Sequence, residues 1–338
     1  SRGVAGKGAS GERWGGMLET ARQEGWPEAG EAARRLFGSR PAPWDPRSWP
    51  EALQVSAVVH AAAGALVMGG PGRWPWGVSA IAANHLLIGA AGLLPRSGLL
   101  GPNLNRLTGR FPAVALTFDD GPDPVVTPRI LDELDRAGAR ATFFLVGAAA
   151  RQHPDLAAAI LRRGHGVGNH TMRHPALFAA YGPAAMRAEI GAAQVALADI
   201  LGWRPLLFRA PMGFRNPFLA AALAAEGLHL VSWSRRALDG WFSDPARGAA
   251  RLLRGLRQGD ILMMHDRRRG AERQASAQLL LRRVLAALAG AGLGTVVLPG
   301  GRPAVAAAGG APGEHQPGEH QAEMHPCEQC VVAPIAEL

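Results

Sequence analysis

The sequence predicts an α/β fold in which seven parallel strands alternate with helices between residues 113 and 298. Short apolar segments recur along this region, and the segments between them carry the start and stop signals of helices. Parallel strands of this kind are joined by right-handed crossover helices. Seven of them suit an imperfect barrel, and an open doubly wound sheet is the alternative.

The elements follow one another in a regular order. The first strand, Ala113–Phe118, is followed by a helix that runs to Gly138. Thr127 is its predicted cap, and Pro128 is its first residue. Proline at the first helical position and glycine just past the end are typical of a helix. Next come a strand over 141–146 and a helix over 154–163. The later pairs are 166–169 with 184–201, 206–209 with 216–226, 228–233 with 245–257 and 260–264 with 276–289, before a last strand over 295–298.

Two uncharged apolar segments, Ala52–Met68 and Gly77–Leu94, precede the alternating region. Each is close to the ~20 residues that cross a bilayer. Trp74 and Trp76, in the connector, stand where interfacial aromatic residues belong. Residues 51–95 are therefore predicted to form a two-helix transmembrane hairpin. A pair of buried soluble helices is the alternative, because both segments are rich in Ala and Gly.

Arginines flank this pair of segments on both sides, whereas the connector contains Arg73 alone. By the positive-inside rule, both flanks and the alternating region would face the cytoplasm. The expected location is a bacterial cell membrane. The flanking residues are Arg34, Arg35, Arg40 and Arg47 before the pair, and Arg96, Arg106 and Arg110 after it.

The two ends of the chain differ in composition from the rest. Residues 1–50 form a polar arm, and residues 300–338 are a low-complexity tail with too little apolar content to order itself. Cys327 and Cys330 are the chain's cysteines, so no disulfide framework supports the fold. Together with nearby histidines they are an alternative metal site, but a disordered tail is the prediction.

Charge excludes one class of partner. The net charge is +9, with a single lysine, Lys7, among 36 lysines and arginines. No basic stripe interleaved with aromatic residues is present, so nucleic acid binding is not expected.

Five short motifs follow the ends of predicted strands, which is the edge where such folds place their chemistry. Each motif adds a different chemical part. In chain order they are Thr117-Phe-Asp-Asp-Gly-Pro122, His170-Thr-Met-Arg-His174, Arg209-Ala-Pro-Met-Gly213, Asp239-Gly-Trp241 and Met263-Met-His265.

The first two motifs predict a metal site. Because side chains alternate along a strand, Asp119 and Asp120 need not share a role: one can bind a metal while the other acts as a base. An ordinary Asp-Gly-Pro turn is the alternative. His170 and His174 are four residues apart, so two imidazoles can share one face. Two histidines and a carboxylate form a facial triad that leaves positions open for water and substrate. Zinc is the expected ion, with cobalt, nickel and manganese also allowed.

The other motifs supply groups around that site. His265 ends an apolar strand and provides the general acid that an amine leaving group needs. Arg209 would hold a carboxylate ionised and oriented. Asp239 would do the equivalent for His265 and raise its pKa.

Together the motifs resemble those of the NodB-like polysaccharide deacetylases, carbohydrate esterase family 4, over about residues 111–299. The resemblance implies a distorted (β/α)7 barrel, here preceded by the transmembrane hairpin, and metal-dependent removal of N-acetyl, sometimes O-acetyl, groups from sugars. Carried over position by position, it makes Asp119 the base, and it makes Asp120, His170 and His174 the metal ligands. It also assigns Arg209 to tuning the base, Asp239 to tuning the acid, and His265 to the acid.

Two positions depart from the family pattern. Gly240 separates Asp239 from Trp241, where the family has Asp directly before Trp. Met263 stands where the family has leucine. Both departures concern the acyl pocket and the Asp239 assignment rather than the metal ligands.

The substrate stays open between several interpretations. The leading one is an acetylated N-acetylglucosamine-type glycan. The alternatives are an O-acetyl ester, a lipid-linked amino sugar to be deacetylated or deformylated, or a non-catalytic glycan-binding role. Arg235-Arg236 and Arg267-Arg-Arg269 follow predicted strand ends, where they either grip a substrate phosphate or carboxylate or form a solvated rim.

Overall fold

The computed structural model describes residues 50–107, 112–267 and 270–301. The predictions for the N-terminal arm and for the tail with Cys327 and Cys330 lie outside the described residues.

Within these residues, eight short strands form one parallel sheet with helices around it. The strands are β1 (Ala113–Asp119), β2 (Ala141–Leu145), β3 (Gly166–Asn169), β4 (Leu207–Phe208), β5 (His229–Leu230), β6 (Arg235–Arg236), β7 (Ile261–His265) and β8 (Gly294–Thr295). The α-helices are α1 (Glu51–Met68), α2 (Trp74–Leu93), α3 (Val126–Arg136), α4 (Gly147–Gln152), α5 (Pro154–Arg162), α6 (Pro183–Leu201), α7 (Leu219–Glu226), α8 (Pro245–Leu253) and α9 (Ala271–Gly290). Short 3₁₀ turns lie at Phe178–Ala180 and Pro211–Gly213.

Strand β1 is the centre of the sheet. The order is β5-β4-β3-β2-β1-β7-β6, and β8 pairs with the beginning of β1. In this register Asp119, the last residue of β1, is opposite Phe144 of β2 and His265 of β7. The first and last motifs therefore lie side by side at one edge of the sheet.

Alternation along β1 decides which residues face the barrel interior. Ala113 and Ala115 pack in the inner apolar cluster, whereas Val114 and Leu116 pack against the surrounding helices. Because successive side chains of a strand point to opposite faces, Asp119 continues the inner row. The carboxylate is thereby placed at the mouth of the barrel.

The edge strands β5 and β6 do not pair with each other, so the sheet curls without closing. The segment before β1 crosses the opening: Leu104 forms a parallel bridge with Val231, and Arg106 an antiparallel bridge with Asp260. The predicted distorted α/β barrel is confirmed by this curled parallel sheet.

Two local predictions were wrong. The strand expected over 228–233 is shorter and comprises only the two residues of β5. Strand β6 follows with no helix between the two strands, so strands and helices do not alternate strictly there. Thr127 does not cap α3. The carboxylate of Asp123 accepts the backbone N–H groups of Val125 and Val126 instead, and the Thr127 hydroxyl donates to Asp266 at 2.6 Å.

Helices α1 and α2 pack against each other as an antiparallel pair joined by a short connector. By length and composition alone, both are long and apolar enough to cross a membrane. Within the most apolar stretch of 18 residues, only 11% of α1 and 17% of α2 are buried. Polar residues of the pair face each other: Asn84 donates to the Ser56 hydroxyl at 2.8 Å in a buried bond. Most of the remaining surface of the pair is exposed and apolar, and Gln54, His60 and His85 are exposed polar residues on it.

The end of α2 is fixed to the barrel by Arg215. Its backbone N–H donates to the Gly92 carbonyl at 3.0 Å, and its buried guanidinium donates to the Leu94 and Ser97 carbonyls at 3.3 and 2.6 Å. A Cβ at Gly92 would overlap the Arg215 carbonyl oxygen. Close approach of the two backbones therefore depends on glycine at this position.

We expect Gly92→Ala to loosen this contact at a cost of about 1–3 kcal/mol, the usual penalty for overpacking. The linker after α2 should then be cut faster by a protease in detergent micelles, while the barrel itself stays folded. Gly89→Ala is the matched control, because it lies one turn earlier in α2 and a Cβ there meets nothing within 4 Å. Equal cleavage of both variants would contradict this role for Gly92.

Candidate active site

All five motifs contribute to the wall of one cavity at the carboxyl ends of the strands. Its acidic and imidazole groups belong to Asp119, Asp120, His170, His174 and His265. The loop after β4, Trp233, Met263 and Trp241 provide the apolar part of the wall.

Asp120, His170 and His174 converge on one point. A ligand atom from each lies within 4.8 Å of the other two. The Asp120 Oδ1 atom is 3.5 Å from His170 Nε2 and 3.3 Å from His174 Nε2. Two imidazole nitrogens and a carboxylate oxygen are a donor set that suits a catalytic divalent cation, so these residues fit such an ion.

The tautomer of His170 is set by its neighbour. Nδ1 lies 2.8 Å from the backbone carbonyl of Arg209. Since a carbonyl only accepts, Nδ1 must carry a proton, and Nε2 is the ring nitrogen that faces Asp120.

Charge states in the cluster also suit a cation. Burial, together with the nearby His170, lowers the pKa of His174 to about 4, so its imidazole is neutral at pH 7. Burial opposes ionisation of Asp120, but its hydrogen bond with His170 and the positive charge of His265 hold its pKa well below its usual range. A neutral imidazole beside an ionised carboxylate is the state that metal binding needs.

Backbone strain is concentrated at this cavity. Asp120, Thr171, His174, Met212 and Leu238 have φ values of 78°, 66°, 54°, 58° and 60°, in the left-handed region. Such conformations cost about 1–3 kcal/mol each and persist only where the surroundings impose them. The two histidines thus converge through a strained loop and not through a helical turn. The Thr171 hydroxyl supports this loop by accepting the His174 N–H at 3.1 Å.

Arg209 holds Asp119 from below. The fully buried guanidinium donates to Asp119 Oδ1 at 2.6 Å and to the Thr117 hydroxyl at 2.8 Å, and it also binds the Ser232 carbonyl at 2.9 Å. Its Cζ atom lies over the Phe144 ring, 4.0 Å from the ring centre. One carboxylate oxygen of Asp119 is therefore fixed in position.

Asp239 grips His265 through both carboxylate oxygens. Oδ1 is 2.7 Å from His265 Nδ1, and Oδ2 accepts the His265 backbone N–H at 3.0 Å. Burial alone would lower the pKa of His265, but the charge and hydrogen bond of Asp239, with Asp120 and Asp119 nearby, raise it to about 9. His265 is thus a protonated donor at neutral pH.

Some participants were not predicted from the sequence. Thr117 is a partner of Arg209, and Arg215 fixes the linker. Asp266 is buried beneath the Asp120-Gly121 turn, where burial, together with Asp120 and Asp119, raises its pKa to about 7. Its position directly after His265 was the only signal.

Of the arginines that were expected near the rim of the cavity, only some lie there. Arg235 points to the other end of the barrel, where its Nε is 2.5 Å from Asp260 Oδ2, so it is not at the rim. Arg236 lines the cavity. Arg267 is exposed, and Arg268 and Arg269 lie outside the described residues.

Comparison with known proteins decides the family. The polysaccharide deacetylase family profile matches residues 107–231. A peptidoglycan-N-acetylglucosamine deacetylase of Bacillus cereus is 33% identical over 170 residues, which are 45% of this chain and 72% of that protein. A chitooligosaccharide deacetylase of Sinorhizobium fredii is 37% identical over 176 residues, 51% of this chain and 76% of the relative.

The chain belongs to the polysaccharide deacetylase family. A crystal structure of the Bc1960 peptidoglycan N-acetylglucosamine deacetylase, in complex with a naphthalenyl N-oxidanyl-benzamide, agrees in fold. Its TM-score is 0.55 at 28% identity, covering 59% of this chain and 92% of that one. The resemblance in the motifs is confirmed.

The two departures from the family pattern have a simple structural outcome. Despite the inserted Gly240, Asp239 contacts His265, and Trp241 lines the cavity while the residue as a whole is 68% exposed. Met263 is buried in the cavity wall where the family has leucine.

Replacing Asp239 should move the titration of His265. We expect Asp239→Asn to lower the His265 pKa from about 9, because burial then acts without the charge and hydrogen bond of Asp239. NMR titration of the imidazole in metal-free protein measures this, and Asp244→Asn on the exposed start of α8 is the control. An unchanged His265 pKa would contradict the assignment.

The same pair makes stability depend on pH. Since the folded pKa of His265 is raised above 6.5, its contribution is complete below pH 6.5 and is lost as pH rises through about 9. In Asp239→Asn the fall in the free energy of unfolding over this window should be smaller.

Proposed function

We propose that this chain is a metal-dependent hydrolase that removes N-acetyl groups from N-acetylglucosamine-type sugars of a poly- or oligosaccharide. The observation that carries the proposal is the convergence of Asp120, His170 and His174 beside Asp119 and His265 in one cavity. The Bacillus cereus peptidoglycan-N-acetylglucosamine deacetylase and the Sinorhizobium fredii chitooligosaccharide deacetylase, both similar to this chain, support it.

Asp120, His170 and His174 would hold the ion. A bound divalent cation supplies Lewis acidity, which polarises a carbonyl and makes water more acidic. Zinc is the usual ion for this donor set, and cobalt, nickel or manganese also suit it.

Asp119 takes the proton from the attacking water. Arg209 holds its Oδ1 atom, so the second oxygen is left to accept that proton. The water oxygen forms a bond to the acetamide carbonyl carbon. Because the guanidinium fixes the carboxylate before substrate arrives, little reorganisation is needed during the reaction.

His265 donates the proton that the leaving amine requires. As the carbon–nitrogen bond breaks, the sugar nitrogen takes a proton from the imidazolium, and acetate is the other product. Asp239 keeps the imidazole charged and oriented until that step. The cycle closes when Asp119 releases its proton and His265 regains one.

Separate substitutions should distinguish metal binding from turnover. His170→Ala is expected to lose the ion, whereas Asp119→Asn should keep it and lose about 10²–10⁴-fold in kcat, the usual contribution of a general base. Metal analysis and acetate release from chitooligosaccharides, after metal stripping and restoration, measure the two effects. Asp199→Asn on the exposed face of α6 is the control. Normal deacetylation by both site variants would refute the assignment.

Two other functions are separated by the same assay. An O-acetyl esterase would release acetate from acetylated xylan but not from chitooligosaccharides. A non-catalytic glycan-binding relative would bind sugar without releasing acetate in metal-replete buffer. A lipid-linked amino sugar is favoured by a specific structural observation, the position of the hairpin.

A further inference from the structure

The chain that leaves α2 lies directly against the wall of the cavity. Pro95 is 3.1 Å from where a Gly213 Cβ would stand, and its carbonyl accepts the Ser232 hydroxyl at 2.6 Å. Gly213 and Trp233 line the cavity. The end of the apolar hairpin is therefore beside the mouth and not at the opposite end of the barrel.

The beginning of the hairpin reaches the same side of the barrel. Pro50, which precedes α1, lies near Gly101, and Gly101 packs against Ala220 of α7. Since both ends of the hairpin are fixed to this side, a bilayer that holds α1 and α2 would lie close to the mouth.

Apolar side chains are exposed on both sides of the junction. At the end of α2 they are Leu93, Leu94 and Leu99, and at the mouth it is Trp241. Exposed apolar groups on either side of a cavity wall are typical of an interaction surface, and tryptophan is well suited to the boundary between lipid and water.

Two guanidinium groups, those of Arg96 and Arg236, lie near each other beside the cavity. Arg236 lines the cavity, and Arg96 donates to the carbonyl of Ser234, two residues before Arg236, at 3.2 Å. Partial burial lowers the pKa of Arg236, and so does the nearby charge of Arg96. Within the described ranges no ion pair joins either guanidinium to a carboxylate, and Arg96 is the charge that acts on Arg236. Two like charges at a cavity favour an anion between them.

We propose that the amino sugar acted on here is carried by a phosphate-linked lipid, whose phosphate is bound by Arg96 and Arg236 and whose hydrocarbon chain stays in the bilayer beside α2. The inference rests on the proposed deacetylase function and names its substrate class. Arginine suits this task because its planar fork binds phosphate oxygens in pairs. Arg96 follows α2 by three residues, so the phosphate would be held at the membrane surface.

The test uses the full chain in phosphatidylcholine vesicles and three acetamide substrates. They are polyprenyl-diphosphate-linked N-acetylglucosamine, N-acetylglucosamine 1-phosphate and chitotetraose. In wild type we expect kcat/KM to be highest for the lipid-linked sugar. N-acetylglucosamine 1-phosphate reports the phosphate without the lipid. Repeating the assay with anionic lipid in the vesicles separates the substrate's phosphate from lipid headgroups.

The arginine pair is tested by Arg96→Gln with Arg236→Gln. The ratio of kcat/KM for the lipid-linked sugar over chitotetraose should fall by about tenfold or more, as loss of charge-assisted hydrogen bonds implies. Metal content checks that the variant is folded. Arg283→Gln, on the exposed face of α9, should leave the ratio unchanged.

The outcomes separate the inference from the function on which it rests. Acetate release from chitotetraose at an equal or higher kcat/KM than from the lipid-linked sugar, with a ratio that the double variant does not change, overturns the inference and keeps the deacetylase. Failure of the protein to float with the vesicles also overturns it. No acetate from any substrate in metal-replete protein refutes the deacetylase, and the inference with it.

Discussion

The buried guanidinium of Arg209 is the interaction on which the rest of the site depends. A charge with no exposure to water is tolerated only when it is paired and its hydrogen bonds are made. Asp119 provides the pairing, and the Thr117 hydroxyl and the Ser232 carbonyl, just after β5, accept other hydrogen bonds of the guanidinium. The same residue also fixes His170 through its backbone carbonyl. The carboxylate and one imidazole are therefore positioned from a single point at the end of β4.

This arrangement explains how two adjacent aspartates come to have different surroundings. Asp119 is the last residue of β1 and continues its inward row toward Arg209. Asp120 has already left the strand, and its left-handed backbone turns its carboxylate toward the two histidines. The strand ends between them. One carboxylate is therefore held by an arginine, and the other is free to meet a cation.

Local pattern was enough to predict the parallel α/β class and the convergence of the motifs, because parallel strands bring their carboxyl ends to one edge. It could not predict contacts between distant segments. Arg235 and Arg236 are neighbours in sequence, yet Asp260 draws the first toward the far end of the barrel while the second lines the cavity. Thr127 looked like a cap, but Asp123 and Asp266 decide its hydrogen bonds. The roles given to the site residues and the domain limits stay predictions.

Left-handed backbone at non-glycine positions makes stability and chemistry compete in this protein. At Asp120 and Met212, replacement by glycine or asparagine would reduce the backbone strain of the folded state, because these residues tolerate positive φ. Selection of variants for heat resistance alone would favour such replacements, and the replacement at Asp120 removes a proposed metal ligand. Engineering a hardier variant therefore calls for selection on turnover at every round, with the gains sought in the helices far from the mouth.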